Sequence, residues 1–523
     1  MSIKLKTFHI GGRHRLMSKT SNKTGMVLAG LLLAILMASM DNTIMATAIG
    51  TIVGELGGLD KFVWATSAYM VAEMAGMPIF GKLSDMYGRK RFFVFGIIVF
   101  MLGSVLCGTA TSIVQLSIYR AIQGIGGGAL VPIAFTIMFD TVTPENRGKL
   151  GGLFGAVFGM SSIFGPLLGA YITDYIHWSW IFYINLPLGL ISFVMIAFFY
   201  KESQQHAKQR IDWWGATTLV GAVVCLMFAM ELGGKQYAWG SIQILGLFAG
   251  FAVLALLFLF VEKRAEEPII SFGMFRNRLY ATSNAVAILS GAAFITASVY
   301  IPIFIQGVLG GTATNSGLML LPMMLSSVVT ATLGGFLMTK MPFRSIMIPT
   351  LALLVLGLAL LTTLTPESPR FIVTLYMILT GLGIGASFSV LSNAAIHSFP
   401  ASQRGAATST LNFLRSLGMT LGITLFGIIQ SHALTRKLTD SFTGSGQAAV
   451  PQGVDFSDPH ALLDPATRAQ IPPQALGTIA EGLSSSVVLT FAWSLIPAGL
   501  ALVAAFAMSK EKLDPAAEAA ASH

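Results

Sequence analysis

The sequence predicts an all-α protein threaded many times through a membrane, and three observations carry that prediction. Of the 523 residues, 54% are hydrophobic and only 11% charged, with a mean hydropathy of +0.74. A water-soluble core has no use for so much apolar surface. The apolar residues fall in continuous runs of about 20, the length that carries a helix across a hydrocarbon core, which excludes a β-barrel built from alternating segments of about ten residues. Short basic stretches punctuate the runs. The stretch 81–91, with Lys82, Arg89, Lys90 and Arg91, is wedged between two of them, and its bases assign it to the cytoplasmic side.

Taken in order, residues 1–25 are a basic cytoplasmic tail. The run 26–49 is too long for a signal-peptide core and carries Asp41, so it reads as an uncleaved first helix. Helices are expected at roughly 26–48, 61–80, 92–110, 113–138, 147–171 and 179–200, giving a first bundle over 26–200. The segment 201–278 is a linker with two inserted helices, near 212–232 and 241–262. A second bundle over 279–508 follows, with helices near 279–305, 315–339, 344–363, 371–396, 405–430 and 484–508, then a cytoplasmic tail at 509–523. The expected total is fourteen transmembrane helices, an even number that leaves both termini cytoplasmic. The last outer loop, 431–485, is long and rich in Pro, Gly, Asp and Gln. It reads either as a partly ordered flap or as a floppy connection, with 474–482 able to form a short helix.

The net charge of +9 follows this topology. Lys61, Lys235, Arg370, Arg436, Lys437 and Arg468 lie outside, Arg120 and Arg415 lie within helices, and the other bases are cytoplasmic. No nucleic-acid partner is implied. Cys107 and Cys225 sit in apolar helices and the eight histidines are scattered, so neither a disulfide framework nor a metal site is expected. Gly76-x-x-x-x-Gly81-Lys82 lacks the Ser or Thr and the strand–loop–helix setting of a phosphate-binding loop, and no cofactor is expected.

The chain also repeats itself. The stretch from Tyr119 and Arg120 through Gly124, Gly126 and Gly128 to Ala129 aligns with Tyr376 and Met377 through Gly381, Gly383 and Gly385 to Ala386. Arg147-Gly148 recurs as Arg404-Gly405 at the same offset. Two parallel six-helix halves are the mark of a rocking transporter with its binding site between them.

Several motifs carry a resemblance to a known family. Gly81-x-Leu83-x-Asp85-x-x-Gly88-Arg89-Lys90-Arg91 resembles the loop 2–3 signature of the major facilitator superfamily, and Arg120-x-x-Gln123-Gly124 its fourth-helix motif. Gly155-x-x-x-Gly159 with Gly165-Pro166-x-x-Gly169 resembles the antiporter motif of the fifth helix. Met40-Asp41-Asn42-Thr43-Ile44, Trp178-x-Trp180-Ile181-Phe182-x-Ile184-Asn185-x-Pro187 and Tyr300-x-Pro302-x-x-x-Gln306 resemble the fourteen-helix drug:proton antiporters. The nearest likeness is to bacterial multidrug efflux pumps of the puromycin- and quinolone-exporting kind. Gly50 replaces a usual proline, Ala170 replaces the last glycine of the fifth-helix motif, and the tenth and thirteenth helices lack acidic residues that some relatives carry there. The resemblance implies the major facilitator fold and a multi-pass protein of the bacterial cytoplasmic membrane, expected to be monomeric. It also implies a proton gradient that drives the export of small hydrophobic, often cationic drugs. The alternatives are an exporter of a dedicated metabolite, amino acid, lipid or siderophore, or a receptor that keeps the fold without transport.

Asp41, deep in the first helix, costs about 2.5–3.5 kcal/mol on insertion scales and needs a partner or a task. Either it carries protons or it only hydrogen-bonds neighbouring helices. Glu73 in the second helix either binds cationic drug, carries a second proton or pairs with a buried arginine. Arg120, whose repeat partner is the neutral Met377, either tunes a carboxylate in one state or forms a static pair, with Gln123 supporting it. Met37, Met45, Tyr69, Phe158, Tyr300, Phe304 and Phe388 are candidate pocket lining, and Asn393 and Asn412 candidate polar contacts. Gly155, Gly159, Gly165, Pro166 and Gly169 are expected to pack and bend helix 5. The repeat also places Asp85 near the helix start at 404–408, whose positive end suits a carboxylate. With Gly81, Gly88, Arg89, Asp140 and Arg404 it forms a candidate latch between the halves.

Overall fold

The computed structural model describes residues 11–57, 62–142, 147–202, 211–234, 236–311, 313–444 and 473–513. Within these segments the chain forms the helices α1 Gly11–Leu56, α2 Phe62–Tyr87, α3 Arg89–Gly108, α4 Ile113–Thr141, α5 Arg147–Tyr175, α6 Trp180–Tyr183, α7 Asn185–Phe199, α8 Trp213–Leu232, α9 Ile242–Glu262, α10 Arg278–Ile303, α11 Ala313–Leu337, α12 Phe343–Leu361, α13 Arg370–His397, α14 Arg404–Gly444 and α15 Pro473–Phe506. Among the described residues, 12 helical stretches are long and apolar enough to cross a membrane. The 26-residue α2 and 29-residue α5 match them in length.

Packing repeats from one half to the other. In the first half α1 packs on α5 and α7, and α4 packs on α2 and α3. In the second, α10 packs on α14 and α15, and α13 packs on α11 and α12. The repeated glycines explain the tightest of these crossings. A Cβ on Gly124 or Gly128 would strike the Tyr69 or Glu73 carbonyl on α2, and one on Gly381 or Gly385 would strike the Met323 or Ser327 carbonyl on α11. Backbones meet directly there, which small residues permit and which replaces the missing hydrophobic drive between helices in lipid. The halves meet through α2 against α14 and α5 against α11, a pair that respects the same repeat. The inserted α8–α9 hairpin lies on α2, where Ala216, Leu219, Val223 and Phe258 join Met74, Met77 and Phe413 of α14 in one apolar cluster. Lys82 adds an ion pair to Glu267, 2.6 Å away.

Two expectations need correction, and one further helix is interrupted without being lost. The single helix expected over 179–200 is one membrane-length span, Trp180–Phe199, in which Ile184 alone interrupts the helix between α6 and α7 while keeping helical backbone angles. Pro187 lacks the N–H that would have bonded the Tyr183 carbonyl, which loosens the turn at Ile184 and leaves the proline in the first turn of α7. The expected outer loop 431–485 is much shorter, because α14 continues to Gly444 and α15 starts at Pro473. Its first part is polar, but Leu434 and Leu438 stand one turn apart and pack against Gly482, with Ile479 and Leu483 buried in the same core. The suggested helix at 474–482 is thus the first part of α15, and the rest of the expected flap lies outside the described residues. Finally, α1 extends well past 26–48 at both ends.

Candidate functional site

Asp41 is 1% exposed and Arg120 fully buried, and the two form an ion pair between α1 and α4. Arg120 Nη1 also donates to Gln123 Oε1 at 2.7 Å, and Arg120 Nε donates to the Ala65 carbonyl at 3.3 Å. Gln123 Nε2 donates to Asp41 Oδ1 and to Ser104 Oγ, both at 2.8 Å. Asn185, the first residue of α7, donates from Nδ2 to Asp41 Oδ1 at 2.8 Å. Both carboxylate oxygens are therefore occupied, by donors from two helices besides Asp41's own. Tyr69 of α2 spreads its ring 4.2 Å from the guanidinium carbon, a cation–π contact strengthened by the dry surroundings. Tyr69 Oη and Arg120 Nη2 are buried without hydrogen-bond partners.

Glu73 stands close by on α2, with its side chain hydrogen-bonded to Asn42. Among the described residues it forms no ion pair, so Arg120 belongs to Asp41. The site thus holds one neutralised carboxylate and a second one with no cation of its own. Such a set can exchange a proton: neutralising Asp41 removes the charge that holds Arg120 and leaves the guanidinium to find another anion.

Several candidate lining residues are packed instead. Met37 and Met45 share a face with Asp41, and because that face turns into the first half they are enclosed there, Met37 beside Gly189 and Met45 in a cluster with Ile113 and Trp178. Tyr69 serves Arg120, and Phe304, in a π-helical turn that follows Pro302, is fully buried. Tyr300 is buried, with its hydroxyl side near Gly427. Phe388 is half-buried and meets Phe294 edge-on. Asn393 and Asn412 bond the carbonyls one turn before them, those of Ser389 and Thr408. The side chain of Phe158 and the surroundings of Gly155 lie outside what the structure describes.

In helix 5, Gly165 and Gly169 bring α5 onto Thr43, Ile44 and Thr47 of α1, and Thr43 Oγ1 donates to the Ser161 carbonyl at 2.8 Å beside Pro166. Gly159 faces Met324 of α11, across the seam between the halves.

At the end of the bundle that carries the basic loops, Asp85 accepts hydrogen bonds from the Gly405 and Ala406 amides at 2.9 and 2.8 Å. These are the first free N–H groups of α14, and they draw a carboxylate for the reason any helix start does. Arg89 donates to Asp85 at 3.2 Å and to the Ala401 carbonyl at 2.6 Å, and it pairs with Asp140, which also faces Arg404 at 3.7 Å. Gly81 lies so near Ser409 that any Cβ would overlap it. Gly88 has φ 112 and ψ 130, a conformation essentially reserved to glycine, at the turn into α3.

Ser104 gave no signal in the sequence, and Asn42 and Asn185 stood inside motifs without a role attached to either. Arg415, expected within a helix, had no role assigned to it. That side chain is 7% exposed on α14, with Nη1 donating to Asn412 Oδ1 at 3.3 Å and Nη2 to the Ser387 carbonyl at 3.0 Å. An arginine inside an apolar run was the available signal.

The model of the Major Facilitator Superfamily matches residues 31–423. The chain belongs to that superfamily. It is 53% identical over 496 residues to multidrug resistance protein 3 of Bacillus subtilis, covering 95% of this chain and 97% of the relative. It is 36% identical to the multidrug transporter protein MdtP of the same species, with 91% and 89% covered. Among solved structures, the human organic anion transporter MFSD10 superposes with a TM-score of 0.59 at 14% identity over 94% of this chain and 99% of that one, a likeness of fold. As a superfamily member with many apolar spans, the protein is a multi-pass transporter of the plasma membrane.

Proposed function

We propose that the protein exports small hydrophobic, often cationic drugs in exchange for protons, by alternating access between two six-helix bundles, 26–200 and 279–508. The drug class rests on the 53% identity to a multidrug resistance protein along nearly the whole of both chains. The observation that carries the coupling is the buried Asp41–Arg120–Gln123 network beside an uncompensated Glu73. A proton reaching Asp41 breaks the pair with Arg120, and a cationic drug or second proton is received by Glu73. No cofactor takes part; the proton gradient drives the cycle, and a monomer suffices. With α2 and α5 counted as spans, and α6 and α7 as one, the chain crosses fourteen times and both termini are cytoplasmic.

The basic loops then mark the cytoplasmic end, and Asp85, Arg89, Asp140 and Arg404 form a latch that closes that end while the cavity faces outward. Neither proton nor drug binds at Asp85.

Dye or drug transport in proteoliposomes, with pH gradient and voltage imposed separately, tests the reading. Export is expected to follow the pH gradient in the wild type, and Asp41→Asn should still bind drug but lose that response. Gradient-driven export that survives in Asp41→Asn would refute the assignment of coupling to this site.

A further inference from the structure

We propose that Arg415 is the centre of an anion subsite in the second half, receiving the carboxylate of aromatic, carboxylate-bearing substrates, zwitterions included. The inference rests on the export activity proposed above and names a further substrate class for it. Its starting point is a charge without a counter-charge. Arg89, Arg120 and Arg404 each face an aspartate, whereas Arg415 meets only two neutral acceptors, Asn412 Oδ1 and the Ser387 carbonyl, among the described residues. A guanidinium stays protonated in proteins, so it cannot escape the cost of burial by giving up its proton. Intramembrane charges of this kind pair with something, and no carboxylate among the described residues fills that place.

The surroundings fit an aromatic acid. A planar guanidinium receives a carboxylate through parallel N–H donors. The Ser387 hydroxyl, buried beside it with no hydrogen-bond partner, supplies a further donor. The Phe388 ring centre lies 5.0 Å from the guanidinium carbon, and Phe294 stands edge-on to Phe388 at 6.2 Å, so an aromatic wall adjoins the charge. At Gly291 the α10 backbone passes against the Arg415 carbonyl and Cγ, which confines the stem of the side chain. The division of labour between the halves follows. The first half holds a self-neutralised pair for protons and a free carboxylate for cations; the second holds a free cation for anions.

The test uses the full-length purified protein and a fluorescent pair, pyrenebutyrate and its methyl ester, which differ only in the charge. Arg415→Gln should weaken binding of the acid about tenfold or more and that of the ester less than about twofold, the scale of a lost charge-assisted contact. Arg415→Lys should fall between, keeping the charge without the fork. Ser387→Ala should weaken the acid alone by a smaller factor. Without ligand, Arg415→Gln should melt at the wild-type temperature or above it, since a buried uncompensated charge is removed. No binding of the acid by the wild type, equal losses for acid and ester, or a lower melting temperature without acid-selective loss would each overturn the subsite. Ester export under a pH gradient reports separately on export. If it is absent while acid-selective binding persists, the efflux reading fails and the subsite stands.

Discussion

Asp41 and Glu73 sit on consecutive helices, α1 and α2, and differ in one respect that sets their tasks. Asp41 is held by Arg120, Gln123 and Asn185, whereas Glu73 is hydrogen-bonded to Asn42 and forms no ion pair among the described residues. Removing one member of a buried pair typically costs about 3–5 kcal/mol, because the other charge is left alone. Arg120→Ala should therefore strip both stability and coupling, read as a lower melting temperature together with lost gradient-driven export. Glu73→Gln breaks no ion pair and should leave folding near wild type. Its expected effect is selective: the KM for dicationic or monocationic drugs rises about tenfold while neutral drugs are little changed. Equal KM values for charged and neutral drugs in Glu73→Gln would show that the carboxylate serves protons alone. Asp41, Glu73, Arg120 and Gln123 were legible in the sequence because each is a polar residue in an apolar run. Their pairing was not, since nothing in a linear pattern says whether Arg120 faces α1 or α2.

The helices themselves are specified by apolar runs, but their crossings are specified by glycines. Gly128 and Gly385 occupy matching places, each against a carbonyl of the partner helix, on Glu73 and Ser327. Valine at either site would force apart a crossing on which a half is built, at a cost of about 1–3 kcal/mol for overpacking. Both variants should lower thermal stability by similar amounts, whereas Gly246→Val, with open space around it, should be neutral. A neutral Gly385→Val would show that the second crossing adapts in a way the first does not. The repeat made these glycines visible beforehand, while the extension of α14 to Gly444 did not show. Its Leu434 and Leu438 stripe is too sparse to stand out until α15 is seen covering it.

At the scale of the whole molecule, the halves are joined at the basic end by Asp85 on the start of α14 and by Arg89, Asp140 and Arg404 around it. A contact made in one state of a cycle and broken in the other biases the populations by its own free energy. Hydrogen bonds to a charged group are worth about 1.5–3 kcal/mol, or roughly tenfold or more in that balance. Asp85→Asn should keep drug affinity and lower turnover, measured by equilibrium binding alongside initial export rates. Lost affinity with normal turnover would place Asp85 in the binding site and abolish the latch. The segment that follows the α8–α9 hairpin touches the same end through the ion pair of Glu267 with Lys82 of α2, and the hairpin's cluster reaches Phe413 on α14. The hairpin therefore rides on the α2–α14 seam, a place its sequence position between the halves did not disclose.

The sequence by itself determined that this chain is helical and membrane-embedded, that it consists of two related halves, and which end carries the basic loops. Composition, run length and repeated glycines encode those properties locally, so each can be read without knowing what lies opposite. Tertiary structure alone decided the partners: that Arg120 serves Asp41 rather than Glu73, that Met37 and Met45 pack inside a bundle, and that Arg415 meets no carboxylate among the described residues. The physical reason is that a buried charge is priced by its neighbours, and neighbours in a helical bundle come from segments far apart in the chain.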